Sequence, residues 1–250
     1  MYNIRKEQSS MLWCNFMKQF SNMEFWIDDF KEKLLQSFGD RIICFGLQGS
    51  YGRGEQTSTS DIDVVVILDR VSFSDLQTYR KVLDTNGCRE MLCGFVAGKE
   101  ELLAWEKYDL LQLYLDTKPY VGSLDFLKDT FTGENIRQAV RVGVCNIYHV
   151  ASHNFLHARN MVVLKDVYKS ARFVIRMKNF YETGSYVSSM RELFNIAGNT
   201  DKKILEECNG FSTEYSEEVF NEKSQDIIEW ASNLIKRIFF AFISTICVML

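Results

Sequence analysis

The sequence predicts an α+β protein in two parts: a mixed β-sheet with helices over residues 1–133, then an α-helical bundle over 134–250. Three observations carry this. Short, β-branched apolar runs bounded by turn residues, the pattern of buried strands, are confined to the first half. A helical pattern lies between two of those runs, which favours a parallel crossover. From about Glu134 strand-like alternation stops, no proline occurs, and long helical patterns take over. A chain of 250 residues is long enough for one large or two modest domains, each with its own core.

Taken in order, residues 1–38 read as helical: Trp13, Phe16, Met17 and Phe20, then Phe25, Phe30, Leu34 and Phe38, recur near helical spacing until Gly39-Asp40 ends the segment. Ile42-Ile43-Cys44-Phe45-Gly46-Leu47 is the first strand. It delivers Gln48-Gly49-Ser50-Tyr51-Gly52-Arg53-Gly54-Glu55, whose glycines allow positive φ and close approach of a ligand, leaving N–H groups for phosphate oxygens. After a polar bridge, Asp61-Ile62-Asp63 opens the second strand, Val64 to Leu68. Residues two apart on a strand share a face, so Asp61 and Asp63 project together. Paired carboxylates repel unless a cation sits between them, and Mg²⁺, a hard ion taking oxygen ligands, suits such a pair.

Ser72-Phe73-Ser74-Asp75 offers N-caps for a helix through Leu83, stopped near Asn86-Gly87. Glu90 to Ala97 is the third strand. If it runs parallel to the second, Glu90 starts beside Asp61 and Asp63. A short helix is expected over Glu100–Trp105 and an edge strand over Leu110–Leu115, leading to Asp116-Thr117-Lys118 and the chain's single proline, Pro119. Helices are then expected over 135–160, 162–182, 186–197, 201–209 and 215–250, with Gly184 marking a turn. The tail Ile238–Leu250 is apolar for thirteen residues, too short to span a bilayer, and reads as a core helix or a partner contact.

Composition narrows the function classes. Apolar residues at 46% and charged residues at 25% are ordinary for a soluble globular protein. A net charge of −4 gives no basic footprint, so nucleic acid is not expected as the main substrate. Seven scattered cysteines form no Cys-x-x-Cys pair and no signal peptide is evident, which reads as a reducing, cytoplasmic setting. No membrane partner is expected, and a homo-oligomer is compatible with the sequence.

A glycine-rich turn alone is commonly just a turn, and a lone Asp-x-Asp is commonly a solvated strand end. Here Gly49-Ser50 follows one strand and Asp61-Ile62-Asp63 starts the next, ten residues later, Tyr51 to Ser60. That conjunction resembles the signature of the DNA polymerase β-like nucleotidyltransferase superfamily. It matches neither the Walker P-loop, which needs Gly-Lys-Ser/Thr, nor the dinucleotide Gly-x-Gly-x-x-Gly. A helical second half carrying Ala171-Arg172-Phe173 and Phe180-Tyr181-Glu182-Thr183-Gly184 is similar to the aminoglycoside nucleotidyltransferases, most of all the branch that adenylylates streptomycin and spectinomycin. The Thr-Gly turn here continues Ser185-Tyr186-Val187-Ser188-Ser189, without the lysine those enzymes carry shortly after it.

The resemblance implies a Mg²⁺-dependent transfer of a nucleoside monophosphate, AMP from ATP, to a hydroxyl of a small-molecule acceptor. Asp61 and Asp63 would hold the metal. Gly49 and Ser50 would offer backbone and hydroxyl donors to the β and γ phosphates. Arg53 would pair with triphosphate oxygens, or remain a solvated loop charge. Glu90 would be the third carboxylate and proton acceptor, with Asp116 second. Two other readings compete: a nucleotidyltransferase with a protein acceptor, as in two-component toxin systems, and a non-catalytic nucleotide-binding protein. The intact Asp61-x-Asp63 pair argues against the last.

All three histidines, His149, His153 and His157, lie four residues apart and form one stripe on a helix. His149 and His157 would stand roughly 12 Å apart along the axis at 1.5 Å per residue, too far for one ion to take all three. A neighbouring pair could bind metal. Otherwise the stripe, His149 and His153 above all, lines an interdomain cleft or packs with satisfied hydrogen bonds.

Overall fold

The computed structural model describes residues 23–57, 60–86, 89–208 and 210–249, with side chains to residue 238. Trp13, Phe16, Met17 and Phe20 lie outside the described residues, as do the side chains of the apolar tail from 239 onward. The chain divides into two compact units, Met1–Thr130 and Phe131–Leu250.

The first unit opens with helix α1, Met23–Phe38, which buries Trp26, Ile27, Phe30, Leu34 and Phe38 along one face. Strand β1, Ile42–Gln48, is followed at once by the one-turn helix α2, Gly49–Arg53. Then come β2, Ile62–Leu68, helix α3, Phe73–Asp84, and β3, Leu92–Gly98. Helices α4, Lys99–Ala104, and α5, Lys107–Asp116, precede the last strand, β4, Lys118–Gly122. The sheet order is β3-β2-β1-β4. β1 is antiparallel to both of its neighbours, and β2 and β3 are parallel, as the intervening helix predicts.

Alternation along the strands separates two faces. Phe45 and Leu47 of β1, and Ile62, Val64, Val66 and Leu68 of β2, join α1 and the α3 residues Tyr79 and Val82 in one apolar cluster. Trp26 stacks on Phe30 at 5.1 Å and its indole N–H donates to Asn86 Oδ1 at 2.8 Å, so the ring is buried without an orphaned donor. Each such fully buried large side chain stabilises the fold by about 1.5–3 kcal/mol. The start of α3 is fixed by a capping box between Ser72 and Asp75. Arg41, just ahead of β1, adds a two-pronged ion pair to Asp75, Nη1 to Oδ1 at 2.7 Å and Nη2 to Oδ2 at 3.2 Å, and reaches Asp69 at 2.9 Å.

The opposite face carries Cys44, Val65 and Ile67, all fully buried. The Gln48 amide ties α5 to this side, donating from Nε2 to the Leu113 carbonyl at 3.1 Å and to Thr117 Oγ1 at 3.0 Å.

One expected element is wrong. Leu110–Leu115 is not an edge strand but most of helix α5, which buries Leu110, Leu111, Leu113 and Asp116. Leucine is a strong helix former and is not β-branched, so propensity outweighs the partial alternation of Leu-Gln-Leu-Tyr-Leu. The edge strand is β4 instead. Its Pro119 is tolerated because an edge has one unpaired side.

The described elements of the second unit are all helices. Helix α6, Gly133–His153, starts at a Thr132–Asn135 capping box and runs into a π-helical turn, Asn154–Ala158. Next come α7, Met161–Thr183, α8, Met190–Ile196, α9, Asn199–Cys208, and α10, Glu217–Met249. α6 packs on α7 and α10, and α7 on α9. Gly184 ends α7 in the left-handed conformation, φ +71°. Buried Asp201 pairs with Lys178 and accepts from the Trp230 indole N–H at 2.9 Å, so the charge is not left uncompensated.

Candidate active site

The site forms where β1 ends and β2 begins. Gln48 pairs with Asp63 across the antiparallel ladder, so the glycine-serine turn and the Asp-x-Asp segment are adjacent in space. Gly49 takes φ +62° to swing the chain from β1 into α2. A Cβ at this residue would stand 2.2 Å from Asp63 Oδ2, so any side chain here would push the carboxylate aside, and the positive φ favours glycine besides. Ser50 follows in the first turn of α2 and is half-buried. Its carbonyl accepts from the Glu55 N–H at 2.8 Å, which closes the loop on itself.

Asp63 is half-buried within β2, whereas Asp61 is exposed just before it. Burial pushes the Asp63 carboxyl above the usual carboxylate range, the negative charge of Asp61 pushes it further, and Arg53 opposes both. Two oxygen-donor groups on one short segment, one partly desolvated and each repelling the other, fit a hard divalent cation such as Mg²⁺. Among the described residues no cluster of three or more His, Cys, Asp or Glu side chains is placed to hold a metal.

Arg53 is not a solvated loop charge. Its Nε donates to Glu55 Oε2 at 3.0 Å and its Nη1 lies 3.5 Å from Asp116 Oδ2. The Asp116 side chain is only 3% exposed. It closes α5 rather than an edge strand, and brings a carboxylate to the glycine-serine turn from a distant part of the chain. Glu90 lies in a single 3₁₀ turn, Arg89–Met91, immediately ahead of β3, and is exposed. Because Leu92 pairs with Ile62, Glu90 sits at the end of the sheet where β2 begins. The β3 residue level with Asp63 is Cys93, an exposed free thiol that no sequence motif singles out.

Residues 27–130 match the family model for the nucleotidyltransferase domain. That stretch is a nucleotidyltransferase domain. The chain is therefore an enzyme of the nucleotidyltransferase class, whose reaction moves a nucleoside monophosphate. The crystal structure of spectinomycin adenyltransferase AAD(9) from Enterococcus faecialis, with ATP and spectinomycin, is similar in fold, with a TM-score of 0.55 at 13% identity. The likeness covers 84% of this chain and 100% of that one. No curated protein matches the chain by sequence.

Outside the nucleotidyltransferase domain, the histidine stripe lies on α6 and the π turn that follows it. His149, His153 and His157 are all exposed. The described cysteines Cys44, Cys93, Cys145 and Cys208 are free. No helix among the described residues is long and apolar enough to cross a membrane.

Proposed function

We propose that the chain transfers AMP from ATP to a hydroxyl of a small-molecule acceptor, with Mg²⁺ held by Asp61 and Asp63. The observation that carries this is the closure of the Gly49-Ser50 turn directly onto the Asp63 carboxylate. It sets phosphate-binding donors and a cation-binding pair against each other in one place. When bound, the divalent ion supplies charge neutralisation for the triphosphate.

The protein's own groups do the rest. Gly49 and Ser50 donate to the β and γ phosphates through backbone and hydroxyl. Arg53, held by Glu55 and Asp116, presents a fixed positive charge to the same oxygens, and a charge already ordered costs no further positioning during reaction. Glu90 takes the proton from the incoming hydroxyl, whose oxygen attacks the α-phosphorus. The bond from the α-phosphorus to the bridging oxygen breaks, and pyrophosphate leaves. Exposure favours Glu90 for this role over Asp116, whose carboxylate is enclosed and paired with Arg53.

The ATP and spectinomycin named for the AAD(9) structure support this choice of nucleotide and acceptor class. Pyrophosphate release from ATP and Mg²⁺, measured over a panel of hydroxylated compounds that includes spectinomycin and streptomycin, tests it. Release that rises with one acceptor class is expected. Release absent with every acceptor tested, beside intact ATP binding, would count for a non-catalytic nucleotide-binding protein.

A further inference from the structure

On the helical unit, Cys145, His149, His153 and His157 follow one another at four-residue intervals, every side chain exposed. The rings are not evenly spaced. His149 and His153 have centroids 6.2 Å apart, whereas His153 and His157 are only 4.6 Å apart. The difference has a local cause. Up to His153 the backbone is α-helical, and from Asn154 to Ala158 it closes π-helical bonds with more residues per turn. That change of pitch turns His157 back over His153. Single π turns inside α-helices are rare and recur at functional sites.

This turn is also held in place. Arg159 ends it at φ +47°, a conformation rare outside glycine, and its N–H donates to the Asn154 carbonyl at 2.7 Å. The Arg159 guanidinium reaches Glu217 at 2.5 Å and lies over the rings of Phe155 and Phe220. Buried Asn154 exchanges two hydrogen bonds of 3.0 Å with the Asn160 backbone. The segment carrying His157 is thus fixed from both ends, and a pair of ligands fixed beforehand loses little freedom on binding an ion.

We propose that His153 and His157 form a two-imidazole chelate for a borderline divalent transition-metal ion such as Zn²⁺, Ni²⁺ or Cu²⁺. A metal–nitrogen bond of about 2.0–2.1 Å puts each ring centroid about 3.2 Å from the ion, so two rings at roughly 90–109° have centroids about 4.5–5.2 Å apart. The separation of His153 and His157 falls inside that range, and that of His149 and His153 falls outside it. Imidazole selects this class of ion, whereas the all-oxygen pair Asp61 and Asp63 selects Mg²⁺. The chelate is a second site, on the second unit and with a donor chemistry different from that of the nucleotidyltransferase centre.

Calorimetric titration of the full chain with Ni²⁺, in excess Mg²⁺ to occupy the carboxylate pair, reads this site. One Ni²⁺ per chain is expected, with affinity falling roughly tenfold or more in His153→Ala, His157→Ala and His157→Gln. It should be unchanged in Cys145→Ser and in Asp61→Asn/Asp63→Asn. Because both rings are exposed, the variants' thermal unfolding without metal should match that of the parent. No Ni²⁺ binding to the parent chain, binding that survives His153→Ala/His157→Ala, or binding lost in Asp61→Asn/Asp63→Asn overturns the proposal.

Discussion

Gly49 and Asp63 meet so closely that a methyl group on residue 49 would have to push the carboxylate aside: a Cβ there would lie 2.2 Å from the Asp63 carboxylate oxygen. The glycine also stands at φ +62°. Its lack of a side chain therefore serves two ends, allowing the left-handed turn out of β1 and leaving the carboxylate in position.

These two effects separate on mutation. Gly49→Ala costs roughly 1–2 kcal/mol for the left-handed conformation and displaces Asp63 as well, so it should lower the melting temperature and abolish turnover. Gly54 ends the same loop at φ +70°, but a Cβ there would meet nothing within 4 Å. Gly54→Ala should cost similar stability and keep most of the turnover. Thermal unfolding and steady-state kinetics on both variants check this.

Asp63 gives a pH-dependent prediction. Its raised pKa means that the folded state holds the proton more tightly than the unfolded chain does, so ionising Asp63 costs stability. That cost is absent below the unfolded pKa and grows as pH rises through the folded one. Asp63→Asn should then melt higher than the parent at neutral pH in metal-free buffer, with the gain shrinking below about pH 4. Turnover should be lost.

Asp75 has the opposite sign. Its pairing with Arg41, followed by its bonds from Ser72, holds its carboxyl well below the usual range, so its contribution is present above the unfolded pKa and lost as pH falls toward the folded one. Asp75→Ala removes half of the capping box together with the carboxylate that pairs with Arg41, and should destabilise the chain at neutral pH. The difference from the parent should narrow in strong acid, as followed by denaturant unfolding.

Much of this was legible in the sequence. The β-branched runs of β1 and β2, and the helix between β2 and β3, are local signals, and they place Gly49, Ser50, Asp61 and Asp63 together without a structure. Contacts between distant residues leave no such trace. Nothing near Arg53 announces Asp116, and nothing near Asp63 announces Cys93, because both pairings depend on how α5 and β3 dock. Leu110–Leu115 misled because leucine alternating with polar residues suits either period. The π turn at 154–158 has no compositional mark at all.

Glu90 and Asp116 can be told apart by what each removal leaves behind. Glu90→Gln should lower kcat about 10²–10⁴-fold, the usual span for loss of a general base, with ATP affinity little changed. Asp116→Asn loosens Arg53 and should act mainly on ATP affinity. The reverse order would make Asp116 the third carboxylate and Glu90 a residue of the turn before β3.

The proposed mechanism stands on transfer of a nucleoside monophosphate at the Asp61–Asp63 pair. ATP radiolabelled at the α-phosphorus, incubated with the enzyme, Mg²⁺ and a hydroxylated acceptor, tests it most directly. Label should pass to the acceptor in the parent enzyme and in neither Asp61→Asn nor Asp63→Asn, while label at the γ-phosphorus leaves as pyrophosphate. Transfer of the γ label to the acceptor, or undiminished α transfer in either variant, would contradict the account.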